Sequence, residues 1–363
     1  MRLKKVWCDK SGIVRAIIDG DSNEDYHLCV DTNRNLNWCT CPYNVFTTET
    51  CKHIKYLKRR VNLSNCKDRR NNLENLKSDC GIIDELLGGG FPYGITTAVI
   101  GEPEVGKTFL TAQLALANIA QTGKNSLIID TEGYRKQDYV DAIAGKMLDR
   151  FELSKKDLDK RLKFYSVVSD WDKDGLQKLC ELFGYELHTT IKKPTKKNKG
   201  AKIQVHFIPC KPELSKNLLN NTTFIALDSL TAPIKYHIGS EQQNLPARSQ
   251  VEERIFGRTF MLADTFNAAV VVNHHVSINP QNPRDLGIAY GGRDVLYNSK
   301  YGIQIMQPNK SAREKFGNEA RRVMQVRVPG VQKSWEKYPM RLKYNYGFTD
   351  QTDEELNEDG DEE

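Results

Sequence analysis

The stretch ITTAVIGEPEVGKTFLTAQLALANIAQ, Ile95 to Gln121, restricts this chain to very few folds. An apolar run, Ile95 to Gly101, enters the pattern G-x-x-x-x-G-K-[ST] over Gly101 to Thr108, and apolar residues at helical spacing follow from Lys107. Strand, glycine-containing loop and helix in this order make a phosphate cradle. Glycines let successive backbone N–H groups close around phosphate, and the helix N-terminus adds the positive end of its dipole. Gly101, Glu102, Pro103, Glu104, Val105, Gly106, Lys107 and Thr108 are therefore the candidate nucleotide-binding residues. Lys107 can reach the β- and γ-phosphates of ATP, and the Thr108 hydroxyl can hold Mg²⁺.

The pattern around this motif predicts an α/β fold. SLIIDT (Ser126 to Thr131), KFYSVV (Lys163 to Val168), FIALDS (Phe224 to Ser229) and AAVVVNHH (Ala268 to His275) are short apolar runs, each flanked by turn or helix signals. Such runs, alternating with helices, indicate a mainly parallel sheet covered on both faces. In open sheets of this kind, ligands gather at the C-terminal ends of the strands. Asp228 ends one run and is the natural carboxylate for the Mg²⁺ water shell. Glu132 lies just past another, where a carboxylate can orient and deprotonate an attacking water. A helix-capping role would suit Asp130 or Glu132 as well.

Composition sets outer limits. With 363 residues, the chain has room for one full α/β domain and a small module. No apolar run reaches about 18 residues, and no apolar stretch follows the charged N-terminus, so neither a membrane span nor a signal peptide is expected. A cytoplasmic chain is the corresponding expectation, and its nine cysteines then read as reduced thiols or metal ligands rather than as disulfides. The last fourteen residues, 350–363, hold nine acids and no base, and without them the formal charge rises from +6 to +15. This tail is predicted to be disordered. A body so basic fits a polyanionic partner, or else is simply a well-solvated surface.

Ahead of the cradle stands CTCPYNVFTTETCKH, Cys39 to His53. Cys39, Cys41, Cys51 and His53 supply four soft or borderline ligands, enough for a closed tetrahedral Zn²⁺ site. Closed coordination leaves no place for water, so the metal's role there is structural. CKHIKYLKRR reads as the first turns of a basic helix, with Cys51 and His53 at its N-terminus. The expected organisation is a zinc module over residues 1–60, a polar linker over 61–79, an ATPase core over 80–349 and the acidic tail. A lysine-rich insertion, 189–221, interrupts the core and reads as a surface loop or hairpin.

Taken together, GIIDELLGGGFPYGITTAVIGEPEVGKTFLTAQLALA, IIDTEG, FIALDSLTAPIKY, LPARSQVEERIFGRTFMLADTFNAAVVVNHHVSINP and YGGRDVLYNSKYGIQI resemble the RecA-fold recombinases, in particular the archaeal RadA type and its paralogs. The resemblance runs from about Cys80 to Thr349, outside the insertion. It implies a RecA-like P-loop NTPase core in which Lys107 and Thr108 bind ATP, Glu132 activates water and Asp228 serves Mg²⁺. His275 falls where the family commonly has a glutamine that senses the γ-phosphate; a histidine can still donate to phosphate, with a pH-dependent charge. Lys235, Arg248, Arg284 and Arg293 would contact single-stranded DNA from two loops. The cysteine module resembles the SWIM zinc finger.

This sequence also departs from the recombinase pattern. Ser240 stands where the family usually has arginine. The usual helix-hairpin-helix domain is replaced by the zinc module, and no F-x-x-A filament peptide occurs in the linker; the FLTA at Phe109 to Ala112 lies inside the P-loop helix. The expected function is a RadA-like, DNA-dependent ATPase of recombination and repair, acting as a homo-oligomer or with a recombinase partner. Two alternatives stand beside it: a mediator paralog that loads another recombinase, and a KaiC-like regulatory ATPase whose zinc finger binds protein.

Overall fold

The computed structural model describes residues 3–8, 14–19, 25–31, 36–39, 51–60, 75–133, 145–168, 175–192, 202–214, 216–239, 241, 244–277, 288–289, 299–329, 336–343 and 346–350. The chain divides into two compact units, 1–74 and 75–363.

In the first unit, β1 (Leu3–Cys8), β2 (Val14–Asp19), β3 (Asp25–Asp31) and β4 (Leu36–Cys39) form an antiparallel meander in chain order. Helix α1 (Lys52–Arg60) packs against β3 and β4. Alternate residues of a strand face one side, so Ala16 and Ile18 of β2 join Tyr26, Leu28 and Val30 of β3 in one small core. Ile54 and Leu57 of α1 close it, together with Cys39 and Cys51. A core this small is weak support for an independent fold.

The second unit opens with β5 (Asn75–Leu76), which pairs with β6 (Phe91–Pro92) around α2 (Gly81–Leu86). Residues expected to be linker thus contribute to the core from Asn75, because Leu76 is fully buried in it. The chain then runs β7 (Thr96–Gly101), α3 (Lys107–Thr122), β8 (Asn125–Asp130), α4 (Gly145–Arg150), α5 (Lys155–Arg161), β9 (Leu162–Ser166) and α6 (Gly175–Leu182). A hairpin follows, β10 (Tyr185–Lys192) and β11 (Lys202–Pro209), then α7 (Lys216–Leu219) and β12 (Thr222–Asp228). The rest is α8 (Thr231–Ile238), α9 (Leu245–Phe266), β13 (Ala269–Ser277), β14 (Ile288–Ala289), β15 (Tyr301–Met306), α10 (Lys310–Phe316), β16 (Ala320–Arg327), β17 (Tyr338–Lys343) and β18 (Gly347–Thr349).

The main sheet has the order β18-β17-β16-β15-β7-β13-β12-β8-β9, with β14 added beside β13. From β15 to β9 every pairing is parallel, while β16, β17 and β18 are antiparallel additions at one end. This is a RecA-like α/β fold with a mainly parallel central sheet. The central strands are buried along their whole length, as their unbroken apolar runs require. Helix α3 is buried almost all round, between the sheet and β18. Its Gln113 donates to the carbonyls of Ser78 (2.6 Å) and Phe348 (3.0 Å) and accepts from the Phe348 N–H at 2.7 Å, tying both ends of the unit to the P-loop helix.

The lysine-rich segment is a hairpin, and it starts before Thr189: β10 begins at Tyr185, and its pairing runs from Tyr185 opposite Pro209 to Lys192 opposite Lys202. Asp350, expected to begin a disordered tail, is half-buried and packs against the start of α2 instead. Its Oδ2 accepts the Ile82 N–H at 3.1 Å in the first turn of α2, where a carboxylate meets unsatisfied N–H groups. The rest of the tail, 351–363, lies outside the described residues. Among the described residues no helix is long and apolar enough to cross a membrane.

Candidate active site

The parallel register sets the site. Gly101 of β7 lies opposite His275 of β13, Asp228 of β12 opposite Asp130 of β8, and Asp130 opposite Ser166 of β9. The strand ends therefore form one row of polar groups along the C-terminal edge of the sheet, beside the N-terminus of α3.

The loop between β7 and α3 is fixed by sterics. Gly106 has φ 104°, and a Cβ there would sit 2.5 Å from Leu342 Cδ2 and 2.9 Å from Phe348 Cζ. Val105 is buried, whereas Glu102, Pro103 and Glu104 face solvent. Lys107 is buried and folds back over the loop, donating to the carbonyls of Gly101 (3.0 Å) and Glu102 (2.7 Å). Burial pulls its ammonium pKa down, against the opposing pull of Asp228, Glu132 and Glu102.

Asp228 is buried, and its Oδ1 accepts from Asn273 Nδ2 at 2.8 Å; the same amide donates to Thr111 Oγ1 at 2.9 Å. Among the described residues, Oδ2 has no hydrogen-bond partner of ordinary geometry. Burial, with the Glu132 charge, pushes this carboxyl up, while Asn273, Thr108 and Lys107 draw it back. An orphaned carboxylate oxygen near the Thr108 hydroxyl is a hard-oxygen set that suits Mg²⁺.

Glu132 and His275 come together at the same edge. His275 Nε2 lies 3.2 Å from Glu132 Oε1, and the Ser229 hydroxyl donates to that oxygen at 2.8 Å. The hydrogen bond from His275 holds the Glu132 carboxyl below its ordinary range despite burial, with Ser229 and Lys107 acting in the same direction. Asp130 serves a different purpose. Its carboxylate accepts the N–H groups of Glu132 and Gly133, each at 3.1 Å, and the Ser166 hydroxyl at 3.0 Å, so it shapes the turn that presents Glu132. Burial still pushes Asp130 up to about 6.

His274 has no place in this row. Strand alternation turns it into the opposite core against Phe256, and burial lowers its pKa to about 3, leaving the ring neutral. Lys235 is exposed in the last turn of α8. Arg248 is not exposed: it is buried on the inner face of α9, and its Nη2 donates to the Glu241 carbonyl at 3.3 Å. The guanidinium therefore braces the loop before α9 instead of offering its charge to a phosphate. Arg284 and Arg293 lie outside the described residues. Asn273, Ser229 and Asp130 are the site residues that motif reading misses.

In the first unit, Cys39, Cys51 and His53 are buried, with their ligand atoms all within 4.8 Å of one another. Cys39 Sγ lies 3.8 Å from His53 Nδ1, and the His53 ring stacks obliquely on Tyr26 at 4.8 Å. Two thiols and an imidazole converging at the end of β4 and the start of α1 suit Zn²⁺. Cys41 lies outside the described residues.

Fold and loop together define a RecA-type P-loop domain. Known proteins agree with that class: residues 77–180 match the family described as "ATPase: KaiC". Among curated relatives, the DNA repair and recombination protein RadB of Methanococcoides burtonii is 45% identical over 73 residues, which cover 20% of this chain and 32% of that one. RadB of Methanothermobacter thermautotrophicus is 40% identical over 68 residues, 19% of this chain and 29% of that one. The DNA repair protein RAD51 homolog 3 of Cricetulus griseus is 38% identical over 79 residues, 20% and 22% respectively. The alignments span about a third or less of these relatives. In fold, a crystal structure of the RadB recombinase superposes with a TM-score of 0.52 at 19% identity, covering 76% of this chain and all of that one.

Proposed function

We propose that this chain is an Mg²⁺-dependent ATPase of DNA recombination and repair that binds single-stranded DNA under control of its nucleotide. The observation that carries the reading is the convergence of the P-loop, Asp228, Glu132 and His275 on one sheet edge. Lys107 leaves the Gly101 and Glu102 carbonyls for the β- and γ-phosphates, and the P-loop N–H groups with the end of α3 hold the rest of the polyphosphate. Thr108 and Asp228 would hold Mg²⁺, which would neutralise the negative charge of the polyphosphate. Glu132, kept ionised, orients and deprotonates the attacking water. His275 takes the γ-phosphate sensing position.

The same histidine reaches toward DNA. Its N–H donates to Thr231 Oγ1 at 3.1 Å, and Ser229 Oγ accepts the Ala232 N–H at 3.3 Å. Both contacts lie at the start of α8, which carries Lys235 at its other end. A shift of His275 and Ser229 on phosphate binding therefore moves the first DNA loop. Lys235, and by sequence Arg284 and Arg293, contact the strand. In the first unit Cys39, Cys51 and His53, with Cys41 as fourth ligand, would hold a structural Zn²⁺ in a SWIM-type finger.

A mediator paralog is the second reading, and the relatives named RadB and RAD51 homolog 3 are in keeping with it. ATPase rate with and without single-stranded DNA, with filaments scored by electron microscopy, tests both. Stimulation with filaments supports a recombinase, stimulation alone a mediator, and no response the regulatory ATPase. Lys107→Ala should abolish hydrolysis in every case, and retained activity would overturn the site.

A further inference from the structure

The insertion hairpin has two unlike faces. On one, Tyr185, Leu187 and Val205 are buried, and α9 clamps it: the Arg258 guanidinium lies 4.7 Å from the Tyr185 ring centre and that of Arg254 5.6 Å from Phe207. The hairpin is thus held by its inner face and is not a loose loop. The outer face carries Ile208 opposite Glu186 at its base and is polar and basic beyond them. There His188 stands opposite His206, Thr190 opposite Gln204, and Lys192 opposite Lys202. Like charges directly across a strand pair are destabilising unless something neutralises them. Glu186, 3.0 Å from His188, answers only the base of the arm. Residues 187–212 hold seven lysines and no acid.

The distal part of the arm is joined to the first DNA loop. Asn244, just before α9, accepts the Ile203 N–H at 3.0 Å and donates to the Ile238 carbonyl at 3.0 Å. Ile203 follows Lys202, and Ile238 ends the helix that carries Lys235. One buried amide thus ties the basic part of the hairpin to the end of α8.

We propose that the outer face of β10–β11 is a second nucleic-acid contact, taking the phosphate backbone of single-stranded DNA as the strand leaves α8. The arm extends the DNA path assigned above and rests on that reading. Charge chooses the occupant: lysines paired across the strands at the distal end, with no ion pair to an acid among the described residues, favour a polyanion, and Asn244 fixes them next to the loop assigned to the strand.

Poly-dT binding to the full chain, measured by fluorescence anisotropy across a salt series, tests this. Lys192→Gln with Lys202→Gln keeps the fold and removes two charges. It should weaken binding about tenfold and reduce the slope of log affinity against log salt by about 1.4, at roughly 0.7 per phosphate contact. ATPase without DNA should be unchanged, which also shows that the variant is folded. Wild-type affinity and slope in the variant would overturn the arm alone. Loss of poly-glutamate binding with poly-dT binding intact would assign the arm to an acidic protein and overturn it too. A wild-type chain that does not bind poly-dT would overturn both the arm and the DNA reading.

Discussion

His275 Nε2 lies 3.2 Å from Glu132 Oε1, joining the ends of two strands that are not neighbours in the sheet. The contact explains how a carboxyl that is largely out of water stays ionised: its first cause is this hydrogen bond. It also places the proposed base and the proposed phosphate sensor in one unit. Nucleotide state can then reach α8 through the backbone of His275 itself.

Replacing His275 tests that pairing through pH. His275→Ala removes the main influence holding Glu132 down, so the acid limb of the ATPase profile should move to higher pH, and the maximal rate should fall about tenfold. His275→Gln keeps an N–H donor and should restore most of both. A profile identical to wild type in His275→Ala would show that the pair does not set the base.

Ser229 is a positioning residue in the same unit. Its hydroxyl donates to Glu132, while its backbone N–H donates to Thr131 Oγ1 at 2.9 Å. Ser229→Ala should lower kcat about tenfold, in line with the loss of one hydrogen bond to a charged group, and leave KM for ATP near wild type. A rise in KM with kcat unchanged would place the residue in ground-state binding instead.

Asp130 gives a stability signature. Its folded pKa, about 6, lies above the ordinary 3.8, so between these values the native state holds a proton that the unfolded chain has released. Stability from this group is present below pH 4 and lost as pH rises through 6, by about 3 kcal/mol in full. Denaturant unfolding of wild type and Asp130→Asn should show that difference narrowing or inverting between pH 4 and 7. Parallel curves would contradict it.

The zinc module makes a separate prediction. Protein purified under reducing conditions without chelator should carry one zinc per chain by elemental analysis. Cys39→Ser with Cys51→Ser should lose it and unfold residues 1–60 while ATP binding persists. Negligible metal in the wild type would refute the finger.

What the sequence makes legible follows the range of the forces involved. The P-loop is readable because a strand, a glycine turn and a helix are encoded next to one another, and Asp228 because it ends an unbroken apolar run. The polar triplet Asn273–His274–His275 was readable in part. Strand period 2 places Asn273 and His275 on one face and His274 on the other, but which face holds Asp228 depends on a sheet order that no local pattern encodes. Arg248 misleads for the opposite reason. It falls on the stripe of Val251 and Ile255 in α9, so helical phase counts against the exposure its charge suggests. Asp350 could not be placed at all, since its partner Ile82 is 268 residues away.

The most direct test of the account compares ATP affinity and turnover in wild type and Glu132→Gln. The amide keeps the shape and removes the base. Affinity should be unchanged within about twofold, and turnover should fall by about 10²–10⁴. Turnover equal to wild type, with ATP bound, would show that Glu132 does not activate water and that the row of residues along this sheet edge has been misread.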